Sequence, residues 1–568
     1  MSPAPSLASS PGVLAASPAT AFTRRRALGW GGGLAAGAAL TPWLAGCSSG
    51  SEDPAPGASA AGQAGGSLTV GINATPDTLD PGATGLALTL LISMALFDPL
   101  VWWLPTEGED EGTFVPGLAT SYEVSDDAST YTFKLREDVT FHDGTKFDAE
   151  AVKATYDHVV DPATKSKSGL GALGPYEGTK IIDPYTVEIS FSAPNAGFLH
   201  QQAAGNFGIA SPTALEKYGA TGFGNNPVGS GPFKFESYAT GDRLNLVKNP
   251  DYRWGPAELG ATGPASLDEL VFRIVADDSG RYNALQSGQL QIAMNLPPNS
   301  IAAAAKAQKY TQMTIPAIGT PIGMPINVTK SPTDDPLVRQ AIMVAVDQQK
   351  LVESVQFGVN TAAHNVLTPI TPGYSEAASA LYTYDPARAA ELLDQAGWTP
   401  GPDGVRTKNG EPLHLEIILY AGGGMELPAQ YVVSQLSAVG FTATTAVQPF
   451  TTAQVSFNGG EHNLGAFGYY GADPYLLNIW VNSAAIKSGF NWSHYAEPAV
   501  DAAIEKANAT ADDATRNARY QAVGETLMKD AIYLPLWDTN GQFTTASSVA
   551  GLHPTFNGYI TFHGATVA

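Results

Sequence analysis

The stretch from Asn226 to Trp254 constrains the fold more than any other. Gly229-Ser230-Gly231-Pro232 cannot sit inside a helix or a central strand and reads as a tight turn. Phe233 and Phe235 then alternate with Lys234 and Glu236, the period of a strand with one buried face. Gly241-Asp242 turns the chain, and Leu244, Leu246 and Val247 continue as a second strand. Asn249-Pro250-Asp251 stops it, and Tyr252 and Trp254 supply large apolar surface beside the stop. A turn, a hairpin and an aromatic stop suit a point where the chain re-enters a sheet it has left.

Helix and strand signals alternate along the rest of the body, which predicts α/β layers. Ser67–Ile72 reads as a first strand, and Thr89–Phe97 is apolar enough for a buried helix ended by Asp98-Pro99. Tyr131–Arg136 and Thr186–Phe191 alternate as strands, and Leu267–Val275 and Leu413–Leu419 are further strands. Asp148 is placed to cap a helix with Val152, Tyr156 and Val159 on one side. Asp335-Pro336 and Asp385-Pro386 open two more helices, with proline at the first helical position. No repeat at 20–50 residues is visible.

Lys and Arg number 30 against 53 Asp and Glu, a net charge of −23. A surface that acidic repels phosphate backbones and argues against a nucleic-acid partner. The single cysteine, Cys47, excludes an intrachain disulfide, a thiolate zinc cluster and Cys-x-x-Cys chemistry. Its position is informative. Thr23-Arg24-Arg25-Arg26 is followed by an uncharged run rich in Gly, Ala and Leu that closes on Leu44-Ala45-Gly46-Cys47. This resembles a twin-arginine lipoprotein signal, with Arg24 and Arg25 as the export pair and Cys47 as the lipidated residue. Ala27 stands where that pattern often has Phe. Ser48–Gly66, mostly Ser, Gly, Ala and Pro, reads as a tether between lipid and body.

Several motifs in the body carry a second resemblance. Pro227-Val-Gly-Ser-Gly-Pro-Phe with Asn249-Pro-Asp-Tyr, Thr78-Leu-Asp-Pro, and Leu118–Asp127 leading into Phe141-His-Asp-Gly resemble the extracellular solute-binding proteins of family 5. Ala151 and Gln291 replace acids usual in that family. The resemblance implies a two-lobed α/β periplasmic-binding-protein fold of the large class II type, with a hinge and an extra subdomain. The lipoprotein-signal resemblance places the signal at 1–46 and the tether at 47–66. Lobe one would take 67–100, 226–295 and 537–568, its inserted subdomain 101–225, and the second lobe 296–536. The family resemblance further implies a monomeric receptor anchored by lipid to the outer face of the cell membrane. That receptor hands a solute, a peptide first among the options, to the permease and ATPase subunits of an ABC importer. Metal chelates, opines and oligosaccharides are the alternative ligands on this fold.

The candidate ligand site is Phe467-Gly-Tyr-Tyr-Gly-Ala-Asp-Pro474, in a region dense in aromatics that include Trp480 and Trp492. Asp473 is the only acid among residues 462–496, and no Lys or Arg is near before Lys487. A carboxylate among Gly, Ala and aromatics is desolvated and needs a cation. By the family resemblance, Asp473 takes a ligand ammonium and Tyr469, Tyr470 and Gly471 offer main-chain hydrogen bonds. Read from the residues alone, the aromatics fill a core and Asp473 caps a turn. Arg339, Arg388 and Arg406 are available for a ligand carboxylate, though sequence does not place them. His462 and His494 are the histidines nearest this region, but no metal-ligand spacing occurs and no cofactor is expected. Gly46-Cys-Ser-Ser-Gly50 lacks the strand–turn–helix setting of a hydrolase nucleophile, and an enzyme is not expected. Gly169–Gly174 matches a dinucleotide fingerprint without its setting and is expected to be a flexible surface loop.

Overall fold

The computed structural model describes residues 65–104, 112–260, 262–471, 473–487 and 489–568. Arg24, Arg25 and Cys47 lie outside the described residues. The body is a two-lobed α/β protein with two large hydrophobic cores. One core runs from Leu68 through Phe272 and takes in Ile315 and Phe543. The other runs from Met324 to Trp537.

The first core is built on a seven-stranded sheet. Its strands are β1 (Ser67–Ile72), β2 (Phe233–Ala239), β3 (Arg243–Lys248), β4 (Glu269–Ile274), β5 (Ile292–Met294), β6 (Tyr310–Pro316) and β7 (Asn540–Ala546). They lie in the order β6-β7-β5-β1-β4-β3-β2. β1 runs parallel to β4 and β5, with Val70 opposite Phe272 and Ile292. The outer pairs are antiparallel, and β6 and β7 match from Tyr310↔Ala546 to Pro316↔Asn540. β6 lies beyond the Leu296 boundary that the sequence reading sets for this lobe, so the sheet reaches further along the chain.

The segment 226–254 re-enters this sheet as a hairpin, with Phe233 opposite Lys248. Its turn presses on the helix Ala87–Leu96. A Cβ on Gly229 would stand 2.1 Å from the Leu96 carbonyl oxygen, and one on Gly231 2.6 Å from its carbonyl carbon, so both positions need glycine. Asp98, just past that helix, is buried and collects the whole segment. Ser230 Oγ donates to it at 2.9 Å, Tyr252 Oη at 2.9 Å and Trp254 Nε1 at 3.0 Å.

An inserted four-stranded antiparallel sheet (Ala119–Val124, Thr130–Leu135, Thr186–Phe191, Tyr176–Asp183) packs beside the helix Ala149–Val160. Asp148 caps that helix by accepting from Glu150 N at 3.0 Å, and Val152, Tyr156 and Val159 face the core. Residues 169–173 are a short helix, not the expected surface loop. Ser166 Oγ accepts from Leu170 N at 2.9 Å and donates to Gly82 O at 2.6 Å, which pins the turn to the body.

In the second lobe, His414–Tyr420 pairs in parallel with Thr442–Gln448, and Ile322–Pro325 pairs antiparallel with Tyr533–Trp537. Leu464 bridges the two ladders by pairing with Ile417 and Ile326. The chain passes between the cores twice, after β6 and before β7. The two crossings touch, with Ala317 N donating to Thr539 O at 3.2 Å and Thr539 Oγ1 to Thr320 O at 3.1 Å.

Candidate functional site

The strand of the candidate motif lies against the first crossing. Thr320 N donates to Tyr469 O at 3.0 Å, Tyr469 N to Thr320 Oγ1 at 2.9 Å, and Gly471 N to Ile318 O at 2.8 Å. Gly319 allows this contact, because a Cβ there would sit 2.1 Å from Tyr469 O. Gly319 and Tyr470 therefore form the non-hydrogen-bonded pair of a small antiparallel ladder. In such a pair the N–H and C=O of each residue point away from the partner strand. The amide and carbonyl of Tyr470 have no partner among the described residues and are open to pair with something else.

That open edge borders a cavity of about 220 Å³ between the lobes. The second lobe contributes Tyr469, Tyr470, Gly471, Leu476 and Ile479, while the first contributes Ala87, Leu90, Gln201, Asn206, Asn557 and Tyr559. Ala172, from the segment expected to be a surface loop, and Ser168 just before it also line it. Tyr470 Oη donates to Asn540 O at 3.1 Å, which orients its ring. Burial pushes the Tyr470 phenol up to about 12 and raises that of Tyr469, so both stay neutral.

Asp473 is not in this wall. It is fully buried, and its cation is Arg516 of the same chain, with which it forms a direct ion pair. Its Oδ1 also accepts from Tyr475 N at 2.8 Å. The place expected for a ligand ammonium is already filled by the arginine. Arg516 comes from the helix Asp513–Lys529, capped by Asp512. It stands at the head of the buried stripe Arg516, Tyr520, Val523 and Leu527. An arginine at a core position of a helical stripe was the signal that could have found it. Burial pushes the Asp473 carboxyl up, but Arg516 and His200 outweigh that and hold it below the usual range.

The first lobe seals the pair. Gly197 lies so close that a Cβ would stand 2.8 Å from Asp473 Oδ1 and 3.1 Å from Arg516 Nη2. His200 Nδ1 is 3.5 Å from Asp473 Oδ2, and its ring meets Trp103 and Phe114 edge-on at 4.4 and 4.8 Å. Burial, the largest influence on His200, lowers its pKa despite the Asp473 charge.

Trp480 is 1 % exposed and packs in the second core against Phe467 and Tyr533, so it does not border the cavity. His462 Nε2 lies 2.7 Å from Trp492 O, and His494 Nε2 2.8 Å from Phe457 O. Burial holds His462 down at about 3. No group of three or more His, Cys, Asp or Glu among the described residues is placed to hold a metal ion. The three arginines considered for a ligand carboxylate are occupied elsewhere. Arg339 donates to Asp530 O and Thr333 O, Arg406 to Trp398 O and Val439 O, and Arg388 pairs with Glu391 on the surface.

The profile of the bacterial extracellular solute-binding proteins, family 5 Middle, matches residues 113–488. The chain belongs to that family. A glutathione-binding protein GsiB from Shigella dysenteriae is 31 % identical over 478 residues, covering 83 % of this chain and 88 % of the relative. The GsiB of Escherichia coli K12 is 30 % identical over the same length and shares. Among solved structures, the periplasmic binding protein DppA of Helicobacter pylori, in complex with peptide STSA, superposes with a TM-score of 0.72 at 25 % identity. That match covers 89 % of this chain and 98 % of the other. NikA of Brucella suis with Fe(III)-EDTA shares the fold at a TM-score of 0.78 and 24 % identity, over 89 % and 100 % of the two chains. Like these relatives, this family 5 protein is a solute-binding protein. No helix among its described residues is long and apolar enough to cross a membrane.

Proposed function

We propose that this protein is the exported, lipid-anchored receptor of an ABC importer, and that it captures a small peptide between its two lobes. The observation that carries the reading is the inter-lobe cavity beside Tyr470, whose backbone edge is open to strand pairing. Backbone pairing gives affinity without reading side chains, as peptide receptors require. GsiB is named for glutathione and the Helicobacter protein holds a peptide, which supports the same ligand class. Tyr469, Tyr470 and Gly471 form the ligand wall. Asp473 and Trp480 support it from behind, the first through Arg516 and the second through the core.

A ligand that touches both lobes stabilises the closed form, and only that differential contact shifts the equilibrium. The permease and ATPase subunits then receive the solute from the closed receptor. The receptor is a monomer and performs no reaction: the described residues of its wall offer no nucleophile paired with a base. Arg24 and Arg25 direct export, and acyl chains on Cys47 hold the protein on the outer face of the membrane. Two acyl chains anchor stably where one is marginal.

The full chain, made in a secreting bacterial host with labelled palmitate, tests both halves together. Label is expected on the wild type and not on Cys47→Ala. The purified protein is expected to bind short peptides saturably and to contract in small-angle scattering as it does so. Absence of label would remove the anchor. Unchanged scattering and no heat across a peptide panel would remove the ligand class.

A further inference from the structure

Among the described residues that line the cavity between the lobes there is no Asp, Glu, Lys, Arg or His. Its polar groups are all neutral: the amides of Gln201, Asn206 and Asn557, the hydroxyl of Ser168, and the phenols of three tyrosines. Asn206 and Ser168 are engaged with each other at 3.1 Å. The side-chain polar atoms of Gln201, Asn557, Tyr469 and Tyr559 have no protein partner among the described residues, and they line the cavity. They are donors and acceptors waiting for a ligand of like kind.

The formal charges beside the lining are paired with each other. Asp77, which accepts from Gly85 N at 3.3 Å, is met by Lys167 at 2.7 Å. Asp473 and Arg516 likewise neutralise each other and are closed off by Gly197 and His200. The first turn of the helix Ala87–Leu96, where Leu86 makes no side-chain cap, adds positive potential to the wall. Its main-chain N–H groups suit a carbonyl oxygen as well as an anion. An ammonium or carboxylate brought into this space would lose its water and find no unpaired counter-charge among the described lining residues, which is far costlier than burying an amide.

We infer that the inner cavity selects a peptide segment without formal charge, so that its preferred ligand is end-blocked or cyclic. The juxtaposition behind this is the open backbone edge of Tyr470 beside a wall of unpartnered neutral amides and phenols. The inference rests on the receptor reading above and narrows its ligand class.

The test uses the purified full chain and four forms of trialanine: both ends free, N-acetylated, C-amidated, and blocked at both ends. Calorimetry should show the doubly blocked form binding about tenfold to a hundredfold more tightly than the free form. Equal or tighter binding of any form with a free end overturns the inference while the peptide-receptor reading stands. A second arm uses Asn557→Asp, which keeps shape and puts one carboxylate in the wall. It should shift preference toward the form with a free ammonium, with thermal melting unchanged within a few degrees. An unshifted preference in the folded variant counts against the cavity as the selecting site. Should no trialanine form bind while the neutral disaccharide maltose does, the peptide reading falls and the preference for uncharged ligands survives. If nothing binds, both fall.

Discussion

The two lobes each bury an aspartate completely, and they solve the same problem in opposite ways. Asp98 in the first lobe is surrounded by neutral donors, Ser230, Tyr252 and Trp254. Burial dominates there and raises its pKa. Asp473 in the second lobe is met by a full cation, and its pKa is lowered. The difference follows position. Asp98 ties one segment to one core, so hydrogen bonds within the lobe suffice. Asp473 lies at the face where the lobes meet, against Gly197 and His200 of the first lobe. If the lobes part as proposed above, an ion pair keeps the carboxylate charged whether or not the first lobe covers it. The contrast teaches that buried charge can be structural in a lobe and conformational between lobes.

The hardest blow to this comparison comes from Arg516→Met, which keeps bulk and leaves the buried Asp473 without its arginine cation. It should destabilise the protein by about 3–5 kcal/mol in urea unfolding. The double variant Arg516→Met with Asp473→Asn should recover most of that loss, because no uncompensated charge remains. Equal costs for the single and double variants would show that packing, not charge, sets the effect.

A gentler change isolates the conformational half. Gly197 has ordinary helical angles, φ −79° and ψ −1°, so alanine is tolerated by the backbone. Its methyl would press on Asp473 Oδ1 and Arg516 Nη2 from across the inter-lobe face. Gly197→Ala should leave melting nearly unchanged, enlarge the radius of gyration without ligand, and weaken ligand binding about tenfold, or about 1.4 kcal/mol. A variant that closes like the wild type would break the claim that this contact registers closure.

The two aspartates also differ in how far sequence reveals them. The turn, hairpin and aromatic stop at 226–254 are legible because their signals are local: glycines, alternation and a proline break. Their convergence on Asp98 is not, because Ser230 lies 132 positions from it. The solitude of Asp473 among aromatics is visible in sequence, and its need for a cation follows from it. The identity of that cation is hidden 43 positions away on a helix whose buried stripe begins with a charged residue. A periodicity search that treats arginine as solvent-facing passes over it. The same limit explains residues 169–173, where glycine content argues for a loop. Hydrogen bonds from Ser166 and Ser168 to the distant segment 82–84 instead hold a helical turn at the cavity.

The smallest expected effect is one of sign. A carboxyl whose folded pKa is raised binds more protons when folded than when unfolded, across the window from its ordinary value of 3.8 up to the raised one. Asp98 therefore contributes stability at the acid end of that window, and the contribution fades as pH rises through it. Asp473 has the reverse sign. Its contribution is present above the ordinary aspartate value and is lost as pH falls through its lowered one. Asp98→Asn removes the first slope and keeps the second. Asparagine can accept from Ser230 and Trp254 and donate to Tyr252, whose hydroxyl rotates. The variant should cost about 1 kcal/mol near pH 4 and less than that, or nothing, near pH 8, read from urea midpoints at the two pH values. A cost that grows toward pH 8 would mean that the three donors stabilise a charged Asp98, and the contrast between the lobes would reduce to one of partner type alone.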